Sequence, residues 1–350
     1  MEAALEAALG AAMGAAMGMS RAMNSASSPS FAIQRGTGRP DPRLKGAVVA
    51  IGNFDGVHRG HRAVIAAALT RARALDRPAA ALTFEPHPRS FFRPQEPLFR
   101  LTDERAKLRL FAGTGLDGAI VLTFDAALAE PAPEDFVNDV LLHRLGIAGA
   151  TVGYDFRFGK NRAGTPDLLA SEGARRHFAV DIVPAVAPEG ERISSGAIRA
   201  ALAAGHVKEA ARALGYPWFV SGEVVHGDKR GRELGYPTAN LRLDPSCGLR
   251  HGIYAVRVGI GSDRYDGVAN FGRRPMFDVG TVLLEVFLFN FSGDLYGQTI
   301  DVAFIDWIRH ELKLDSIEDL IRRMDEDSRL ARIALARSGE AFPQLGEVAV

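Results

Sequence analysis

Cysteine is almost missing: Cys247 is the single one in 350 residues. One thiol excludes an internal disulfide framework and fits a reducing, cytoplasmic setting. No apolar run approaches the roughly 20 residues that span a bilayer, and no basic start with a Leu-rich centre marks a leader. Neither sign of charge is in excess, with 42 Lys and Arg against 42 Asp and Glu. Nothing global therefore draws the chain to nucleic acid or a membrane surface, and small molecules are the expected partners. Oligomeric state has no signature here. What is present is ordinary: 47% apolar and 24% charged residues, enough for packed cores, in a length that suits about two domains. Residues 1–30 stand apart as an Ala/Met/Gly-rich stretch ending in Ser, Asn and Pro, which reads as a disordered extension and linker.

Residues 47–65 organise the rest of the chain. An apolar run, 47–51, is long enough for one buried parallel strand. It breaks at Gly52-Asn53, a loop Phe54-Asp55-Gly56-Val57 comes next, and His58 and His61 open an Ala-rich helix predicted to reach residue 68. Strand, glycine loop and helix start make an anion cradle, because the first turn offers free N–H groups and a partial positive charge. Two imidazoles beside it can donate to phosphate oxygens. The same pair could instead be surface or capping residues. Zinc lacks a third ligand at suitable spacing.

Strands are predicted at 79–84, 119–122, 150–152 and 179–183. They alternate with helices at 103–111, capped by Thr102, and at 133–145, with Phe136, Val137, Val140 and Leu141 on one face. This is an α/β domain, residues 31–215, with a parallel sheet covered on both faces and ligands expected beyond the carboxyl ends of its strands. Thr83-Phe84-Glu85-Pro86-His87-Pro88 is a rigid exit from the second strand. Residues 153–162, GYDFRFGKNR, alternate rings and cations; this suits a flat anionic ligand, with Asp155 and Phe158 as contacts, or a solvated edge strand. At residues 193–199 Ser195 can cap a helix with Arg199 one turn in.

After about residue 215 the composition turns to β-branched and aromatic runs, at 218–225, 253–258, 265–270, 281–289 and 299–304. Closely spaced strands with Gly/Asp turns predict an antiparallel β-barrel over residues 216–335. A helix at 316–324, capped by Asp315 or Ser316, closes it. The residues past 330 read as a terminal helix and then a frayed tail, 336–350. Gly227, Gly231 and Gly235 recur evenly before Pro237-Thr238-Ala239-Asn240. Such a loop can wrap a polyphosphate or simply be mobile. Thr238 and Asn240 share one side of an extended chain and offer hard oxygens that suit Mg²⁺. Glu285 is the single charge in an apolar strand and shares a face with Phe287 and Phe289. It is either a working carboxylate or one half of a structural ion pair.

GNFDGVHRGH resembles the HxGH signature of nucleotidyltransferases, in the form used by bacterial bifunctional riboflavin kinase/FAD synthetases. The segments at 83–88, 153–162 and 193–199 are similar to that family's TFxPHP, GxxFxFGxxRxG and ISSTxxR patterns, with Gly196 where Thr is usual. The glycine run with PTAN resembles its kinase half. So do the DFxGDLYG-like turn at 290–297 (Asn290 for Asp), the flavin-side loop at 271–277 (Met276 for Thr) and the RxExKF-like ending (Leu314 for Phe). The resemblance implies a Rossmann-like N-terminal domain that adenylylates FMN to FAD, releasing pyrophosphate. His58, His61 and Arg199 would be catalytic there. Gly52, Asn53, Phe54, Asp55, Gly56, Asp155, Phe158 and Ser195 would bind nucleotide and flavin. It implies a barrel that phosphorylates riboflavin to FMN with Glu285 as base. Gly227, Gly231, Gly235, Thr238 and Asn240 would hold ATP, with Thr238 and Asn240 on Mg²⁺. ATP is the co-substrate of both steps, and flavoproteins are possible clients. Two other readings stay open: a riboflavin kinase with a decayed front half, for which Gly196 is the support, and a non-catalytic flavin or nucleotide-binding protein, which would have lost Glu285 or PTAN. A different transferase substrate would leave the barrel unexplained.

Overall fold

The computed structural model describes residues 31–36, 41–186, 193–227, 236–273, 282–312 and 316–348. Six short strands form the first sheet: β1 (Ala32–Arg35), β2 (Val48–Ile51), β3 (Ala79–Glu85), β4 (Gly118–Thr123), β5 (Gly149–Gly153) and β6 (Ala179–Val183). Their order is β1-β4-β3-β2-β5-β6 and every pair is parallel. Separate apolar clusters fill the two faces, as a parallel sheet requires. Strand β1 escapes a reading of apolar runs, because its four residues AIQR are half polar.

The helices are α1 (Arg59–Leu75), α2 (Glu104–Ala112), α3 (Pro166–Arg176), α4 (Ser195–Ala204) and α5 (Val207–Leu214). Helix α1 runs two turns past the expected end. Val64, Ile65, Ala68 and Ala72 keep one face buried until Asp76 turns left-handed and donates to Ala72 O and Arg73 O. Two expected caps move by one residue. Asp103, not Thr102, caps α2 by accepting from Ala106 N. Ser194, not Ser195, caps α4 by accepting from Ala197 N. The displaced pair, Thr102 and Ser195, hold the Asp55-Gly56 turn instead. The stretch expected as an α-helix over 133–145 winds as a π-helix at Phe136–Arg144, closed by Leu145 N donating to Val140 O. Phe136, Val137, Val140 and Leu141 are buried all the same, since their spacing keeps them on one face in either winding.

The second sheet is a closed barrel of β7 (Phe219–Val225), β8 (Thr238–Leu243), β9 (Gly252–Ile260), β10 (Asp263–Arg273), β11 (Val282–Leu288) and β12 (Thr299–Arg309), in the order β10-β11-β8-β7-β12-β9. All its pairs are antiparallel, and closure leaves no edge. Along β11 the alternation is clean. Val282, Leu284, Val286 and Leu288 point inward, while Leu283, Glu285 and Phe287 lie half-buried on the outer face. Helix α6 (Ile317–Arg337), capped by Ser316, joins the helix expected at 316–324 and the terminal helix expected past 330 into one, because Ala331 and Leu335 find Ala255, Phe289 and Ile305 to cover.

The carboxyl-terminal tail, expected to fray, is a packed strap. Arg257 donates to Gly339 O at 2.6 Å and Ala341 O at 3.3 Å. Phe342 lies 4.2 Å from the Arg264 guanidinium, and Gly346 N donates to Arg109 O in α2 at 2.9 Å. Hydrogen bonds to its backbone hold the tail, and Phe342, Leu345 and Val348 pack against the core with no helix or strand to set a period. The barrel also meets the parallel-sheet half directly. Arg109 grips Asp301 of β12 through two 2.7 Å bonds. Trp218 Nε1 donates to Leu101 O at 2.8 Å, and Tyr216 Oη to Gly56 O at 2.7 Å.

Candidate active sites

A cleft of about 1190 Å³ opens beyond the carboxyl ends of β2, β3 and β5. Gly52, Asn53, Phe54, Asp55, His58, His61, Asp155, Phe158, Ser195 and Arg199 all line it. Gly56 does not. It is buried just behind the loop, left-handed at φ 83°, and a Cβ there would lie 2.8 Å from Leu101.

His58 is the N-cap of α1, its Nδ1 accepting from His61 N at 3.2 Å. The two imidazoles stack with centroids 3.5 Å apart and planes 15° apart, and Phe54 meets His61 edge-on. Burial drives the His58 pKa down to about 4, against a partial offset from Asp55 and Asp155. His61 is driven well below its ordinary value by burial, with His58 and Lys107 adding to the effect. Both rings are therefore neutral near pH 7. Since Nδ1 of neutral His58 accepts, its proton sits on Nε2, and His58 is a donor.

The turn at Asp55-Gly56 is pinned from four sides. Thr102 Oγ1 accepts from Gly56 N at 3.1 Å, while Thr102 N donates to Asp55 Oδ1 at 3.1 Å. Ser195 donates its hydroxyl to Asp55 O at 2.9 Å. Tyr216 holds Gly56 O. Arg199 binds the Asp55 carboxylate and also donates from Nε to Phe99 O. The expected phosphate-binding arginine is thus held against the loop. At Gly196 a Cβ would meet only Ser194 Oγ, at 3.7 Å, so the missing threonine leaves the backbone path unchanged.

Lys107, Arg100, Phe91, Phe92 and Phe124 went unread in the sequence, while Phe84 and His87, from the segment 83–88 that the sequence singled out, line the cleft. Lys107, 2% exposed, sends Nζ to Glu85 Oε1 at 2.7 Å, Thr83 Oγ1 at 3.2 Å and Asn53 O at 3.4 Å. Arg100 takes the same carboxylate through bonds of 2.8 and 2.6 Å. Burial raises the Glu85 pKa, but the two cations outweigh it and hold the group below its usual range. A lysine on the apolar face of α2 was the available signal. His87 accepts from Arg89 N, and burial lowers its pKa to about 4. Phe84, Phe91, Phe92 and Phe124 form an edge-to-face wall at the cleft. Opposite them Phe158 stacks on Phe156 at 5.5 Å.

The barrel holds a second constellation. Asn240 of β8, Glu285 of β11 and Asn270 of β10 are cross-strand neighbours in one row. Asn240 is 4% exposed, its Nδ2 donates to Thr238 O at 3.2 Å, and its Oδ1 is buried without a hydrogen-bond partner. Gly227 passes so close that a Cβ would be 2.6 Å from Asn240 Nδ2, so only glycine fits that approach. Thr238 lies opposite Phe287, whose ring contacts Tyr236 at 4.8 Å. Tyr236 in turn hydrogen-bonds Asp325 of α6. Gly231 and Gly235 lie outside the described residues. Among the described residues no group of three or more His, Cys, Asp or Glu could hold a metal ion, and no helix is long and apolar enough to cross a membrane.

A family profile described as FAD synthetase matches residues 41–197, and one described as riboflavin kinase matches residues 214–335. A bifunctional riboflavin kinase/FMN adenylyltransferase of Haemophilus influenzae is 38% identical over 85% of this chain and 97% of its own length. The chain belongs to that family. The Pseudomonas fluorescens member is 39% identical over 87% of this chain and 98% of its own. A solved Streptococcus pneumoniae structure, described as a macrolide-efflux protein, superposes with a TM-score of 0.76 at 31% identity, covering 86% of this chain and 98% of that one. Its likeness is one of fold across both halves. Within the bifunctional riboflavin kinase/FMN adenylyltransferase family, the histidine cleft falls to the FAD synthetase segment and the Asn240–Glu285 row to the riboflavin kinase segment.

Proposed function

We infer that the chain carries out both reactions of its family: ATP-dependent phosphorylation of riboflavin to FMN, and adenylylation of FMN to FAD. In the first, the ribityl 5′-hydroxyl oxygen bonds to the γ-phosphorus of ATP and its proton passes to Glu285. The bond from γ-phosphorus to the bridging oxygen breaks, and ADP leaves. Gly227, Gly231 and Gly235 wrap the phosphates. Thr238 and Asn240 would hold Mg²⁺, and the partnerless Asn240 Oδ1 is a hard oxygen of the kind that ion takes. Held there, it would supply positive charge beside the phosphates.

In the second reaction a phosphate oxygen of FMN bonds to the α-phosphorus of ATP, and pyrophosphate leaves. No proton has to be removed from the attacking oxygen. His58 and His61 donate to the developing charge, and the α1 amino-terminus reinforces them. Arg199, held by Asp55, faces the pyrophosphate that leaves and takes up part of its charge. Phe158, Asp155 and the glycine loop Gly52 to Gly56 border the nucleotide and flavin. The lone cysteine and the demand for ATP suit the cytoplasm, with flavoproteins as recipients of the product.

One observation carries this reading: a stacked, neutral histidine pair at a helix start and a carboxylate set between two amides occur in the same chain, each inside the matching family segment. Pure protein incubated with riboflavin and MgATP, its products resolved by chromatography, should yield FMN and then FAD. FMN alone would mean a kinase with a silent front half. Neither product would mean a binding protein.

A further inference from the structure

We propose that Asn270 is a substrate-contacting residue of the kinase site, its amide nitrogen steadying Glu285 and its amide oxygen accepting a hydrogen bond from the ribityl hydroxyl beside the one phosphorylated. The inference rests on reading Glu285 as the base.

Three observations support it. Asn270 pairs with Glu285 across β10 and β11, as Asn240 does across β8 and β11, so the carboxylate stands between two amides on adjacent strands. Asn270 Nδ2 is 3.5 Å from Glu285 Oε2, within reach of a closer hydrogen bond on a small rotation. A carboxylate only accepts, so the end of the amide that faces it must be the NH₂, and this fixes Oδ1 on the other side. That Oδ1 is buried with no hydrogen-bond partner. Leaving such an acceptor empty is costly, and a hydroxyl bound there offsets that cost.

The chemistry of the acceptor selects its donor. An amide oxygen repels phosphate and ignores an aromatic face, but it takes a neutral O–H. A polyol chain offers hydroxyls on successive carbons. If the 5′-hydroxyl gives its proton to Glu285 as its oxygen attacks the γ-phosphorus and ADP departs, the next hydroxyl along falls within the same row of side chains. Two contacts on neighbouring oxygens fix the rotation about the bond between them, which orients the attacking oxygen. Sequence reading passes over Asn270 because it falls at the end of the strand expected over 265–270, where an asparagine is unremarkable, whereas β10 runs on to Arg273.

The test uses the full chain with Asn270→Asp, which keeps the shape but removes the N–H donor and adds a like charge beside Glu285, and Asn270→Ser, which is too short to reach. Riboflavin phosphorylation and, with FMN supplied, adenylylation are measured on the same preparations. We expect both variants to lose about tenfold or more in FMN formation, with the riboflavin KM raised and FAD formation within twofold of the parent. Kinase activity within twofold for Asn270→Asp would overturn the proposal, because shape alone would then suffice. Equal loss of both activities would overturn it too, marking a structural role. Glu285→Gln run in parallel separates the two ideas. If it still makes FMN, the base assignment fails. If it is inactive while both Asn270 variants are fully active, this inference fails alone.

Discussion

The two proposed sites are built from opposite materials. The parallel-sheet cleft uses backbone N–H groups, neutral imidazoles and a buried cation network behind the loop. The barrel site uses a carboxylate and two amides on the outer face of a closed sheet. In the proposed reactions the difference stems from the nucleophile. A phosphate oxygen is already ionised, so the cleft needs donors and no base. A hydroxyl must lose a proton, so the barrel needs a carboxylate. The histidines fit this division. Burial keeps them uncharged, and as donors they suit an anion without having to give up a proton first.

The sharpest break in the comparison comes from Glu285→Gln. It should cut FMN formation by about 100- to 10,000-fold and leave conversion of supplied FMN to FAD intact, both read by chromatography. His58→Ala should do the reverse, costing about 100- to 1,000-fold in FAD formation at unchanged kinase rate. Loss of both activities from either change in folded protein would mean that the sites are not separate. Tyr216→Phe probes the join more gently. It removes the 2.7 Å bond that holds Gly56 O, and one buried hydrogen bond is worth about 1 kcal/mol. We expect FAD formation to fall several-fold with the kinase untouched. The smallest effect concerns stability in mild acid. His58 and His87 titrate near pH 4 in the fold, against an ordinary value of 6.5. The unfolded chain thus binds more protons between those limits. The contribution is complete above about pH 6.5 and is lost as pH falls toward 4. Melting temperature against pH should show that decline, and His58→Gln should flatten it.

Motif spacing made the cleft legible because its residues are close in sequence: a glycine loop and a histidine pair within ten positions state their own geometry. Period-two alternation did the same for Glu285. What stayed hidden are contacts between distant positions. Tyr216 reaches Gly56 across 160 residues and Arg109 reaches Asp301 across 192, and no local pattern encodes either. The caps at Asp103 and Ser194 were missed by one residue because Thr102 and Ser195 are equally good cap chemistry. Tertiary partners, Asp55 and Gly56, claimed those two hydroxyls instead. The π-winding at Phe136–Arg144 was invisible because the same apolar positions serve both helices.

The strap from Gly339 to Gly346 changes what cutting the chain would do. A protease that severed the peptide near residue 215 would remove one connection between the halves. The grip of Gly346 on Arg109, and of Arg109 on Asp301, would remain. Such a nicked enzyme should migrate as a single particle on gel filtration in dilute salt, and fall into two pieces only when denaturant loosens the clasp.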